Sequence, residues 1–225
     1  MQKKKQKENN ITLNILKSTR MKSGIILTGS LLVLISFTAV AQNRPTFGLR
    51  AGINFQNING KNSEGDKLDN KIKTGFHAGI NAEMPVGIDF YLQPGLIFTT
   101  KGAKDRNIDA VTRLSYIEIP VNLLYKPVLG EGKLLLGFGP YVAVAVGGET
   151  EVNGLVNTIE FGGNPGELKR VDAGANMLAG YEFRNKLSVQ LNTGLGLINL
   201  KNRISSDTKS ISRNTGFGVS LCYRI

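Results

Sequence analysis

The sequence predicts an all-β fold, an eight-stranded antiparallel up-and-down transmembrane β-barrel, on three observations. Eight segments alternate large apolar with small or polar residues, the connections between them alternate short and long, and an apolar leader precedes them all. A period of two is the period of a strand, and one greasy face backed by a polar one is the pattern of a small barrel in lipid.

The first segment, 46–55, sets Phe47, Leu49, Ala51, Ile53 and Phe55 against Gly48, Arg50, Gly52 and Asn54. The second, 73–84, puts Gly75, His77, Gly79, Asn81 and Glu83 on its polar face, and the third, 88–101, puts Tyr91, Gln93, Gly95 and Lys101 there. In the fourth, 113–126, the polar positions are Glu118 and Asn122; in the fifth, 133–146, they are Gly137 and Gly139. The sixth, 171–183, carries Asp172, Gly174, Asn176, Gly180 and Glu182, and the seventh, 187–198, carries Gln190, Asn192, Gly194 and Gly196. The eighth, 214–225, alternates Phe217, Val219, Leu221, Tyr223 and Ile225 with Gly216, Gly218, Ser220, Cys222 and Arg224. A tilted membrane strand needs about 9 to 11 residues, which these satisfy.

Connections 85–87, 127–132 and 184–186 are short, whereas 56–72, 102–112, 147–170 and 199–213 are long. Short turns belong to the periplasmic end of such barrels and long loops to the outside, and an even strand number leaves both termini periplasmic. An eight-stranded lumen is only wide enough for side chains to fill it, so glycines face inward to relieve crowding. The charged lumen residues, among them Arg50, His77, Glu83, Glu118, Asp172, Glu182 and Arg224, are expected to pair, because an unpaired buried charge is costly. A plugged barrel is expected, not an open pore. Pro94, Pro120 and Pro140 fall inside the strands, where each removes a ladder donor; bulges or broken pairs are expected there, and a bulge would invert the faces beyond it.

Residues 24–41 are uniformly apolar, follow Met21-Lys22 and end in Ala39-Val40-Ala41, the layout of a cleaved signal peptide over 21–41. A retained anchor needs about 20 apolar residues; this run is slightly short and carries Ser30, Ser36 and Thr38. Residues 1–20 form a basic extension that a start at Met21 would leave untranslated, and 42–225 form the barrel domain. Without 1–41 the net charge falls from +11 to 21 minus 16, or +5. Export and so mild an excess argue against nucleic acid as a partner. Cys222 is the single cysteine, so no internal disulfide forms.

Leu92-Gln93-Pro94-Gly95-Leu96, Lys101-Gly102-Ala103-Lys104, Tyr116-Ile117-Glu118-Ile119-Pro120-Val121 and Gly137-Phe138-Gly139-Pro140-Tyr141 are similar to motifs of the PorT-like outer-membrane β-barrel proteins. Asp172-Ala173-Gly174, Gly180-Tyr181-Glu182 and the terminal Leu221-Cys222-Tyr223-Arg224-Ile225 extend the resemblance over nearly all of 42–225. Ile225 departs from the Phe that often ends such barrels. The resemblance implies an outer-membrane barrel of a Gram-negative bacterium and a link to protein secretion through the type IX system; its motifs are architectural and carry over no functional residue.

His77, the single histidine, near Glu83 or Glu118 would suit a barrel hydrolase, but no strand serine sits in a glycine-flanked nucleophile motif. The expectation is a non-enzyme with no cofactor; the acids Glu149, Glu151, Glu160 and Glu167 lack metal-loop spacing. Function is sought in the loops, where Lys61, Lys67, Lys71, Lys201, Arg203 and Lys209 stand ready for lipid A phosphates or an acidic envelope partner, or are simply solvated near anionic lipid. The leading expectation is a structural or accessory barrel in secretion or surface assembly, contacting outer-membrane lipid and envelope proteins. A soluble barrel would need its greasy face inward.

Overall fold

The computed structural model describes residues 44–62, 64–106, 108–164, 167–202 and 210–225. The extension 1–20 and the leader 21–41 lie outside the described residues, as do Arg203 and Lys209. One compact unit, Pro45–Ile225, contains the strands β1 (Thr46–Lys61), β2 (Asn70–Lys71), β3 (Lys73–Gly87), β4 (Phe90–Asp105), β5 (Ala110–Tyr125), β6 (Val128–Leu129), β7 (Gly132–Val152), β8 (Leu155–Thr158), β9 (Val171–Glu182), β10 (Leu187–Gly196) and β11 (Ile211–Arg224). Eight of these, β1, β3, β4, β5, β7, β9, β10 and β11, each pair antiparallel with both neighbours, and β1 pairs with β11 to close the barrel. Closure leaves no edge, the condition for β-structure in hydrocarbon.

The strands run past the predicted ends on the long-loop side. β1 reaches Lys61 instead of Phe55, β4 reaches Asp105, β7 reaches Val152, and β11 begins at Ile211. The segments 56–72, 102–112, 147–170 and 199–213 are therefore partly sheet. Alternation reports contact with lipid, whereas ladders continue into water on polar residues, as in Asn59↔Arg213 and Arg113↔Glu149. At the short end, β6 and β7 turn through Gly130, whose φ is +63°.

Each proline breaks a pairing without a bulge. β3–β4 pairs lapse opposite Pro94, β4–β5 pairs opposite Pro120 and β5–β7 pairs opposite Pro140, and each resumes in the same register. Side-chain faces are thus preserved across all three prolines. The shift near mid-barrel falls instead between Ser115 and Tyr116, where β7 carries one extra residue, Val146, opposite.

The outward face is an apolar belt: Leu49, Ile53, Ile80, Leu96, Ile119, Phe138, Val142, Met177, Leu191 and Val219 are all exposed. Aromatic contacts rim it. Phe90 and Tyr125 (centroids 5.0 Å apart) and Tyr181 and Phe183 (5.1 Å) lie near the short turns, and Phe55 and Phe217 (5.1 Å) and Phe76 and Phe98 (5.7 Å) lie toward the long loops. Phe47 to Phe55 is 8 residues, about 26 Å along a strand and about 20 Å across a membrane at a 40° tilt. Two aromatic girdles about an apolar band are what a bilayer selects.

Candidate functional site

The lumen is stratified, and the charged residues expected to share one network divide among its layers. Nearest the short turns, Glu83, Glu182 and Arg224 meet around Lys126. Its Nζ lies 2.6 Å from Glu83 Oε2 and 2.9 Å from Glu182 Oε2. The Arg224 guanidinium pairs with Glu83 Oε1, which also accepts from Gln93 Nε2 at 3.1 Å. Arg224 Nη1 donates to Asn81 Oδ1 at 2.7 Å. Glu83 is 2% exposed and Lys126 3%, so these charges are compensated almost wholly by one another. Above them Leu124, Leu135 and Leu178 form a small apolar layer against Tyr91.

The next layer holds His77 and Arg50. His77 meets neither Glu83 nor Glu118, as the sequence suggested; Nδ1 lies 2.6 Å from Asn54 Oδ1 and Nε2 2.7 Å from Ser220 Oγ. Ser220 Oγ also accepts from Arg50 Nε at 3.2 Å and Asn192 Nδ2 at 2.6 Å. With the Nδ1–H on Asn54, the serine gives its proton to Nε2 and fills both lone pairs, which satisfies the imidazole and the hydroxyl. The serine, imidazole and amide match a nucleophile relay in spacing. Asn54, His77 and Ser220 are each at most 6% exposed, inside the wall, and the adjoining cavity is only about 70 Å³.

Glycine creates this contact. Gly52 on β1 is the direct partner of both His77 on β3 and Ser220 on β11. A Cβ there would stand 2.6 Å from His77 Cε1, so its absence lets the imidazole lie across β1 and reach the far strand. Gly48 stands in the same way between Asn81 and Arg224, with a Cβ position 2.8 Å from Arg224 Nη1.

Toward the loops, Glu118 and Asp172 share Lys101, whose Nζ is 2.9 Å from Glu118 Oε2 and 3.4 Å from Asp172 Oδ2. The same Asp172 oxygen accepts from Asn214 Nδ2 at 2.9 Å and Tyr141 OH at 3.3 Å. Lys101 Nζ also lies 4.4 Å from the centroid of the Tyr141 ring, within cation–π range. Over this layer sits an apolar plug: Leu114, Tyr116, Tyr141, Ala143, Ala145 and Leu200, with Ile58, Ile159, Phe161 and Leu168 packed on top. Much of the plug is loop. Lys169 N donates to Leu200 O at 2.8 Å, and Asn202 Nδ2 to Gly162 O at 2.8 Å, tying the 153–170 and 197–202 segments together.

Sequence reasoning missed Lys126, Tyr116, Tyr141 and the loop residues of the plug. Lys126 and the two tyrosines are legible as inward positions once register is known; Phe161 and Leu168 lie where no alternation exists.

Among the described residues the loop lysines are partnered at three places. Lys61 and Lys67 face each other across an isolated bridge, and Lys71 on β2 is the partner of Lys104 on β4. Lys201 bridges Leu168 and lines a separate outer-mouth cleft of about 640 Å³ with Asn70, Asn157 and Thr158.

A closed eight-stranded barrel with an apolar exterior, two aromatic girdles and a filled polar lumen defines an outer-membrane β-barrel protein. A family model described as outer membrane protein beta-barrel domain matches residues 40–202, and the chain belongs to that family. Solved structures of similar fold include Ail, the attachment invasion locus protein of Yersinia pestis, in complex with the heparin analogue sucrose octasulfate (13% identity, 81% of this chain, 100% of that one, TM-score 0.42). Neisserial surface protein A (12%, 81% and 100%, TM-score 0.47) and a major outer membrane protein from Thermus thermophilus (13%, 81% and 100%, TM-score 0.42) are two more. No curated protein matches the chain.

Proposed function

We propose that this protein is a structural or accessory component of the outer membrane that serves protein secretion or surface assembly, through its outer loops and not through its lumen. The observation that carries this reading is the filled lumen: ion pairs near the short turns, hydrogen-bonded and ionic layers in the middle, and an apolar plug at the mouth. Such a barrel offers neither a path for solute nor an approach for substrate, so the relay of Ser220, His77 and Asn54 is read as architecture and the protein as a non-enzyme. What remains available to a partner is the loop end, with its mixed cleft of about 640 Å³ and exposed lysines. The PorT-like motifs favour an envelope secretion partner over a free small molecule.

The test is deletion of the gene followed by quantitative comparison of surface and secreted proteins, together with affinity capture from detergent-solubilised envelopes. Altered surface proteins and a captured envelope protein are expected. An unchanged secretome with no partner retained would overturn the accessory role, and steady large conductance in planar bilayers would overturn the sealed lumen.

A further inference from the structure

The backbone ladder of the barrel is not continuous toward the long loops. The β3–β4 ladder ends at His77↔Thr99, although β3 begins at Lys73, and β4 next meets a partner on that side at Lys71↔Lys104 of β2. Between these pairs the backbone ladder lapses while the strands stay close. Thr100 Oγ1 replaces the missing ladder, accepting from Phe76 N at 2.8 Å and donating to Phe76 O at 3.2 Å, and Lys73 Nζ donates to Thr74 O at 3.3 Å. Beside this lapse is a recess of about 450 Å³ lined by Lys73, Thr74, Phe76 and Thr100 on one side and by Arg113, Ser115 and Glu149 on the other.

Its depth and charge select an occupant. Outward positions change here from Phe76 to Thr74, from Phe98 to Thr100 and from Ile117 to Ser115, so the recess lies where the apolar belt gives way to hydroxyls, at the long-loop end. Arg113 is taken by Glu149 at 3.0 Å and Glu151 at 2.8 Å. No ion pair among the described residues engages Lys71, Lys73 or Lys104. Lys73 is repelled by both Arg113 and Lys104 and attracted by Glu149, which Arg113 already holds. Lys71 and Lys104 are direct cross-strand partners, an arrangement that like charges disfavour unless an anion lies between them.

We propose that this recess binds a phosphate of an outer-leaflet saccharolipid, lipid A. Lys73 in the lining and the Lys71–Lys104 pair next along β4 supply charge, Thr74, Thr100 and Ser115 supply hydroxyls, and the acyl chains run down past Phe76 and Phe98. The inference rests on the reading of the long-loop end as the outer leaflet. It uses the wall of the barrel and is independent of any secretion partner.

The experiment is native mass spectrometry of the detergent-purified protein titrated with diphosphoryl lipid A, its dephosphorylated form and phosphatidylglycerol. One diphosphoryl lipid A per barrel is expected, with the other two lipids held at least about tenfold more weakly, as charge-assisted phosphate contacts require. The variant K71A/K104A is expected to weaken diphosphoryl binding about tenfold or more, whereas K61A/K67A leaves it unchanged. Each variant is first shown to be folded by its heat-dependent electrophoretic mobility, and outer-membrane fractionation tests the membrane reading separately. Equal binding of the dephosphorylated lipid or of phosphatidylglycerol, undiminished binding by K71A/K104A, or loss in K61A/K67A alone would each overturn the proposal.

Discussion

Replacing Glu83 with alanine tests whether the ionic layer near the short turns holds the barrel together. Glu83 is 2% exposed and touches Lys126 at 2.6 Å, the Arg224 guanidinium, and Gln93 at 3.1 Å. Without it, Arg224 keeps Asn81, and Lys126 keeps Glu182 and the face of Tyr91. Removing one partner of a buried pair costs about 3–5 kcal/mol, because the survivor is left uncompensated. That is between two and four decades in the unfolding constant, at about 1.4 kcal/mol per decade. The assay is urea unfolding in detergent micelles followed by far-UV circular dichroism, with the denatured band on unheated gels as a second reading. Replacing both Glu83 and Arg224 with methionine removes the pair together and is expected to recover most of the loss. A cost below about 1 kcal/mol for Glu83→Ala would place this layer with exposed ion pairs and refute the reasoning.

Gly52→Ala drives a methyl group against His77 and the β11 backbone; a destabilisation of about 1–3 kcal/mol is expected from overpacking, and an equal effect of Gly52→Ala in a His77→Ala background would show that the imidazole is not what the methyl meets. Leu191→Arg sets a charge on the lipid face and is expected to cost about 2–4 kcal/mol near the midplane, measured by the same unfolding; a neutral result would argue against lipid contact there. Hydrogen bonds from Asn164 hold the Glu167 carboxyl below its ordinary value of 4.5. Their contribution is therefore present above that pH and lost as pH falls through the lowered value. The protection factor of the Asn164 amide, its exchange rate corrected for the pH dependence of a free amide, is expected to hold down to pH 4.5 and to fall only below it; a fall already at about pH 6, well above the ordinary carboxylate range, would contradict this assignment.

Strand number and faces were legible because lipid contact imposes a period of two that nothing else in the chain imitates. The limits of the strands were not, since above Phe55 and Phe98 the ladder runs on through polar residues that water tolerates on either face. The lumen partners were hidden for a different reason. His77 and Ser220 are 143 residues apart, and their contact depends on Gly52 being vacant between them; the sequence shows the glycine as relief from crowding and not as a passage for a side chain. Lys126 lies at the end of its predicted strand, where an inward charge and a turn residue look alike. The plug residues Ile159, Phe161 and Leu168 lie in a loop whose apolar positions have no regular spacing, so only the three-dimensional return of that loop reveals them.

The pairing of β1 with β11, from Gly48↔Arg224 to Lys61↔Ile211, has a bearing on biogenesis. The first strand to leave the translocation machinery waits for the last, and a chain halted anywhere before β11 carries two open sheet edges and a half-assembled ionic layer, because Arg224 belongs to both. Open edges invite pairing between chains. The seam therefore ties closure to the last strand: until β11 pairs with β1 the edges stay open, and only a polypeptide that has reached Arg224 brings the guanidinium to Asn81 and a second cation to Glu83, which Lys126 already holds.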